Sequence, residues 1–136
     1  MLVVLDTNVL FSALISPHGT SNEIYHAWRS GRFELVTSIK QLDEIRRASR
    51  YPKFRDILQP ARVGTLINNM RRATVLGNLD ITEETDDPGD AFLLAMASAS
   101  GADYLVTGDR RAGLLERGHF GRTRITTPSV FCSEIF

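Results

Sequence analysis

Apolar residues fall along this chain in short runs that alternate between two periods. Leu2-Val-Val-Leu5 is β-branched, uninterrupted and only four residues long, the pattern of a buried strand. Thr7 to Ile15 then reads as a short apolar helix, and Ser16-Pro17-His18-Gly19 as a turn. Ile24, Ala27 and Trp28 have helical spacing in a segment that Thr20 or Ser21 can cap and Gly31 can end. A second strand is predicted at Phe33–Val36. A helix capped by Ser38 follows to about Arg50, with Ile39, Leu42 and Ile45 as its core stripe. Pro52 interrupts it, and two helical segments follow, near Lys53–Leu58 and Ala61–Arg72. Thr74–Leu76 is a short strand and Asp80–Gly89 a polar loop. Asp90–Ser100 is apolar on most sides, as a buried helix is. Ala102–Thr107 is the fourth strand, Arg111–Arg117 a short helix, Arg124–Thr126 a last strand and Pro128–Ile135 a closing helix. Strands alternating with helices predict a three-layer α/β/α sandwich around a mostly parallel sheet of about five strands.

Length and composition narrow this picture without changing it. The 136 residues are 43% hydrophobic and 24% charged, which predicts one domain over residues 1–136 with its own core. A lone cysteine, Cys132, excludes an intrachain disulfide and reads as a small buried hydrophobe. No apolar window approaches a membrane span and no basic leader precedes an apolar core, so the expectation is a cytoplasmic protein.

Charge changes the picture more, because a net charge of zero hides a segregation. Residues 46–72 carry eight basic side chains against Asp56 alone, and residues 80–109 carry eight acids with no Lys or Arg. Residues 110–124 are basic again, five arginines against Glu116. Any one such run is commonly a solvated face. Acids in one place with arginine around them also suit a cation site flanked by a phosphate-binding surface.

Asp6 and Asp109 each follow a strand and open a turn. In open α/β sheets ligands bind beyond the carboxyl ends of strands, so neighbouring first and fourth strands would aim both acids into one crevice. Asp87 and Asp90 open the buried helix. An N-cap role explains Asp6, Asp87 or Asp90 singly, but not a set of acids at one crevice. Close carboxylates repel unless a cation neutralises them, and all-oxygen ligation suits Mg²⁺ or Mn²⁺. Such ions orient a phosphate, activate water and stabilise the leaving oxygen. There is no zinc-like Cys/His spacing and no glycine-rich phosphate loop. His18, His26 and His119 share no spacing of a site, Trp28 and Phe92 read as core, and Ser12 and Ser38 have no base partner.

Leu5-Asp-Thr-Asn-Val-Leu10, Asp87-Pro-Gly-Asp-Ala-Phe92 and Ala102-Asp-Tyr-Leu-Val-Thr-Gly-Asp109 together resemble the signature of PIN-domain ribonucleases, above all the small PIN proteins described as toxins of toxin–antitoxin pairs. The resemblance runs from Leu2 to Pro128. It implies that Asp6, Asp90 and Asp109 bind metal, with Glu44 as the fourth acid through its Ser38…Glu44 context. Residue spacing alone puts Glu44 on the solvent side, well round the helix from Ile39, Leu42 and Ile45. Asp87 matches an auxiliary acidic position, and Gly89 stands where relatives often carry another acid. Asn8, Thr107 and Ser38 match small polar positions that orient the carboxylates.

The resemblance further implies RNA cleavage to 3′-hydroxyl and 5′-phosphate ends with Mg²⁺ or Mn²⁺, a homodimer, and an antitoxin that blocks the cleft. Arg46, Arg47, Arg50, Lys53, Arg110 and Arg111 are the candidates for gripping the RNA backbone. Two rivals stand beside this reading. A phosphatase or receiver would need a lysine near the strand ends, whereas Lys40 and Lys53 fall in the helical middle. A catalytically weak or inactive module would keep the acids and only bind RNA or a partner protein.

Overall fold

The structure is a computed structural model that describes residues 1–85, 87–108 and 113–136. In chain order the elements are β1 (Leu2–Leu5), α1 (Thr7–Ile15), α2 (Thr20–Arg29), β2 (Glu34–Ser38), α3 (Ile39–Ala48), α4 (Pro52–Arg55), α5 (Pro60–Arg71) and β3 (Thr74–Leu76). They continue as α6 (Pro88–Ser100), β4 (Tyr104–Val106), α7 (Leu114–Arg117), β5 (His119–Phe120), β6 (Thr123–Thr126) and α8 (Pro128–Ile135).

The sheet runs β3-β2-β1-β4-β6-β5 and is parallel except at β5. β1 pairs with β2 on one side and β4 on the other, so the switch in strand order falls between β1 and β4, where the sequence pattern requires it. The strand not foreseen is β5. Its two residues turn back through Gly121, whose φ of 57° suits glycine, and pair antiparallel with β6.

Alternation along the strands feeds two cores. Val3, Leu5, Leu35 and Val106 face α1, α2, α3, α5 and α8, packing on Phe11, Ile24, Ile45, Leu66 and Phe131. Val4, Val36 and Leu105 face the other way, onto Phe92, Leu94 and Met96 of α6 and Leu114 of α7. These faces make the three layers.

Helix limits follow local chemistry. Ser38 Oγ accepts the Gln41 amide at 3.0 Å to start α3. The Asp87 carboxylate accepts the Gly89 amide at 2.8 Å, and Pro88 sits in the first turn, so α6 begins earlier than the apolar run alone indicates. Gly101 ends α6 at a φ of 65°. The segment after Pro52 stays helical only to Arg55.

The stripe of α3 differs from its expectation in a way that matters for the site. Ile39 is 58% exposed, whereas Gln41 is 1% exposed. The Gln41 amide group donates to the Leu5 carbonyl at 2.7 Å and accepts the Thr37 hydroxyl at 2.7 Å. A satisfied polar side chain has taken the inward position that hydrophobic spacing gave to Ile39.

Candidate active site

The carboxyl rim of the sheet carries the candidate chemistry. Asp6 directly follows β1. Its amide donates to Val106 of β4 at 2.9 Å, which carries the ladder one residue past the strand. Its side chain caps α1, accepting the Asn8 amide at 3.3 Å, and also accepts the Thr107 hydroxyl at 2.8 Å. The cap role of Asp6 is therefore real, and it coexists with a second contact from the neighbouring strand.

Asp90 lies in the first turn of α6 and is buried; its amide donates to the Asp87 carbonyl at 3.0 Å. The amino end of a helix favours a negative charge there. Asp6, Glu44, Asp87 and Asp90 line one pocket of about 140 Å³, together with Thr7, Asn8, Gly89, Phe92 and Leu93. Asp109, Arg110 and Arg111 lie outside the described residues.

Glu44 is not the solvent-facing residue that the Ile39 stripe implies. With Gln41, Leu42, Ile45 and Ala48 inward, Glu44 falls only about 90° from the middle of the buried face. It is half-buried at the pocket. Burial pushes its carboxyl above the usual range and the Asp6 charge pushes it further. A hydrogen bond from Thr7 and the charges of Arg47 and Lys40 pull it back. A carboxylate whose proton affinity is raised by a second acid beside it is the kind of group a cation stabilises.

The donor set of this pocket fits a hard divalent cation. Carboxylates dominate it, and its described lining includes no Lys, Arg or His. Among the described residues, however, no three Asp, Glu, His or Cys side chains group closely enough to hold an ion.

Other candidates take different places. Asp87 caps α6, and its Oδ1 lies 3.2 Å from where a Cβ at position 89 would stand, so Gly89 leaves room for that cap. Asn8 lines the pocket, while Ser38 is buried, caps α3 and donates toward the Met96 sulfur at 3.7 Å. Arg46 and Arg50 line a separate groove with Arg55, away from the acids, and Lys53 lies over the Phe54 ring.

The acidic stretch is also less uniform than its count implies. Asp103, at the far end of β4, accepts the Leu2 amide at 2.8 Å and the Arg122 guanidinium at 2.5 Å. Glu83 pairs with Arg117 at 3.6 Å. The side chains missed in the sequence are Thr7, Gln41 and Lys40. Only the four-residue step from Lys40 to Glu44 could have pointed to the last of them.

The family model for the PIN domain matches residues 2–111, from β1 through the stretch that follows β4. The chain belongs to the PIN-domain family. No curated protein sequence matches it. PIN domains are generally nucleases that bind nucleic acid and typically use divalent metals, so this PIN domain has a nuclease-type function. Among the described residues no helix is long and apolar enough to cross a membrane.

Proposed function

We propose that residues 1–136 form one metal-dependent endoribonuclease domain that acts as the toxin of a toxin–antitoxin pair in the cytoplasm. The observation that carries this is the shared pocket of Asp6, Glu44 and Asp90, which brings acids from three separate elements to the carboxyl rim at the β1/β4 switch. Asp6, Glu44, Asp90 and Asp109 would hold Mg²⁺ or Mn²⁺, with Asp87 as an auxiliary acid. The ion, when bound, activates water and neutralises charge on the phosphate.

The chain's own part is positional. Thr107 and Asn8 fix the two oxygens of Asp6, Gln41 ties α3 to the end of β1, and α6 presents Asp90 from its amino end. Arginines around the rim would grip the RNA backbone. A homodimer and an antitoxin that blocks the cleft complete the reading.

RNA cleavage with Mg²⁺ or Mn²⁺, lost in Asp6→Asn and Asp109→Asn while both variants still fold, is the expected result. Undiminished cleavage in both variants sinks the proposal. The toxin role predicts growth arrest on expression, relieved by Asp6→Asn. One alternative is a PIN-like module that binds RNA or protein without cutting. RNA binding without metal-stimulated cleavage would select it.

A further inference from the structure

A second depression opens on the same rim, two strands from Asp6. It is a groove of about 350 Å³ lined by Ile39, Lys40, Asp43, Arg47, Leu79 and Ile81, together with Gly77 and Asn78. Ile39 and Lys40 begin α3 just past the carboxyl end of β2, and the 77–81 segment follows the carboxyl end of β3. β1, β2 and β3 are adjacent and parallel, so the groove continues the acid pocket toward the sheet edge, about 10 Å from β1 to β3.

A side chain of the groove touches a side chain of the acid pocket. The Lys40 ammonium lies 5.0 Å from the centre of the Phe92 ring, and Phe92 lines the acid pocket. Lys40, Glu44 and Arg47 fall at helical spacing along α3, so both cations flank the carboxylate that faces the acids. Both charges act on Glu44.

The chemistry of the groove is divided. Lys40 and Arg47 are exposed cations, while the third charge, Asp43, is engaged by Arg46 at 3.3 Å. Ile39 and Ile81 present apolar surface beside them, with 58% and 47% of each exposed. Cations next to apolar surface, continuous with a phosphodiester-cleaving pocket, match a nucleotide's phosphate and base. We propose that this groove holds the RNA nucleotide next to the scissile phosphate, with Lys40 and Arg47 on its phosphate and Ile39, Leu79 and Ile81 against its base. This rests on the ribonuclease reading of the acid pocket. Lys40 and Arg47 are then positioning residues for the substrate, and the apolar trio sets which bases are accepted.

The test is fluorescence anisotropy of a short labelled single-stranded RNA with the full chain in EDTA, over a series of salt concentrations. Removing two phosphate contacts in Lys40→Met/Arg47→Met should lower the slope of log affinity against log salt by roughly 1.4, about 0.7 for each contact. Ile39→Ser/Ile81→Ser should weaken binding with the slope unchanged. Arg71→Met/Arg72→Met removes the same charge just before β3, at the opposite rim, and should leave the slope as it was.

An equal slope loss in the Arg71/Arg72 variant overturns the groove in favour of diffuse charge. An Ile39/Ile81 variant that binds RNA normally but sediments as a different oligomer overturns it in favour of a protein contact. A parallel cleavage assay with Mg²⁺ separates this proposal from its parent. If the wild-type chain cuts RNA and Lys40→Met/Arg47→Met cuts it with unchanged KM, the groove assignment falls and the ribonuclease stands. If nothing is cut but the two-cation slope loss holds, the ribonuclease falls and the RNA groove stands.

Discussion

Replacing Gln41 by leucine tests how the site is held together. The substitution nearly preserves shape, so little cavity is created, but it removes the group that donates to the Leu5 carbonyl and accepts the Thr37 hydroxyl. Gln41 and Thr37 are almost fully buried, and water cannot readily replace the lost partner. Leaving a buried polar group unsatisfied costs about 1–3 kcal/mol, so two orphaned groups cost about 2–6 kcal/mol. For 136 residues the unfolding entropy near the midpoint is about 0.29 kcal/mol/K, which converts that cost into a fall in Tm of roughly 7–21 °C. Circular dichroism melting of Gln41→Leu reads it directly. Thr37→Val/Gln41→Leu also removes the stranded hydroxyl and should recover part of the loss, since replacing both partners with apolar groups is cheaper than removing one. A Gln41→Leu protein melting within about 2 °C of wild type, or a double variant melting no higher than the single, would refute the tie between α3 and β1.

Other expectations follow from single contacts. Thr107→Val removes the hydroxyl that holds Asp6 and should lower metal affinity or cleavage about 10–100-fold with an unchanged fold, read by titrating Mn²⁺ against activity. Asp87→Ala should cost about 1 kcal/mol as a lost helix cap, while Asp90→Asn should be far more harmful to cleavage than to melting. The Leu2 amide, with Arg122 beside it, holds the Asp103 carboxyl below its ordinary range, so its contribution is present above the unfolded carboxylate range and is lost as pH falls through the folded value. The gap in Tm between wild type and Asp103→Asn should therefore be widest near neutral pH and close in strong acid. Glu44 has the opposite sign: its raised proton affinity means that ionising it weakens the metal-free fold as pH rises. Metal-free Glu44→Gln should gain on wild type between acidic and neutral pH in the same melting assay.

The layered fold was legible because β1, β2 and β4 are short β-branched or apolar runs whose alternation feeds two faces, and because α6 is apolar all round. β5 escaped because two residues beside a glycine carry no periodic signal. The site divides in the same way. Asp6 was legible as an acid ending a strand, and its pairing with Thr107 follows from β1 and β4 being neighbours. Glu44 was hidden because hydrophobicity assigned Ile39 inward, whereas the hydrogen bonds of Gln41 rotate α3 the other way. Thr37 is only four residues from Gln41, but the Leu5 carbonyl lies 36 residues away, and no window of neighbouring residues contains it. Asp103 looked like part of the acidic set for a related reason: its partners, Leu2 and Arg122, lie beyond any local pattern.

The interior position of β1 and β4 also has a kinetic consequence. Each has a strand on both sides and a helical layer on both faces, whereas β3 and β5 are edge strands of three and two residues. Local opening starts where few bonds and little apolar surface must be given up, so amide exchange should begin at the two margins and reach the Asp6–Val106 bond last. The margins can therefore open and close on their own, while Asp6 and Thr107 part only when the whole sheet unfolds.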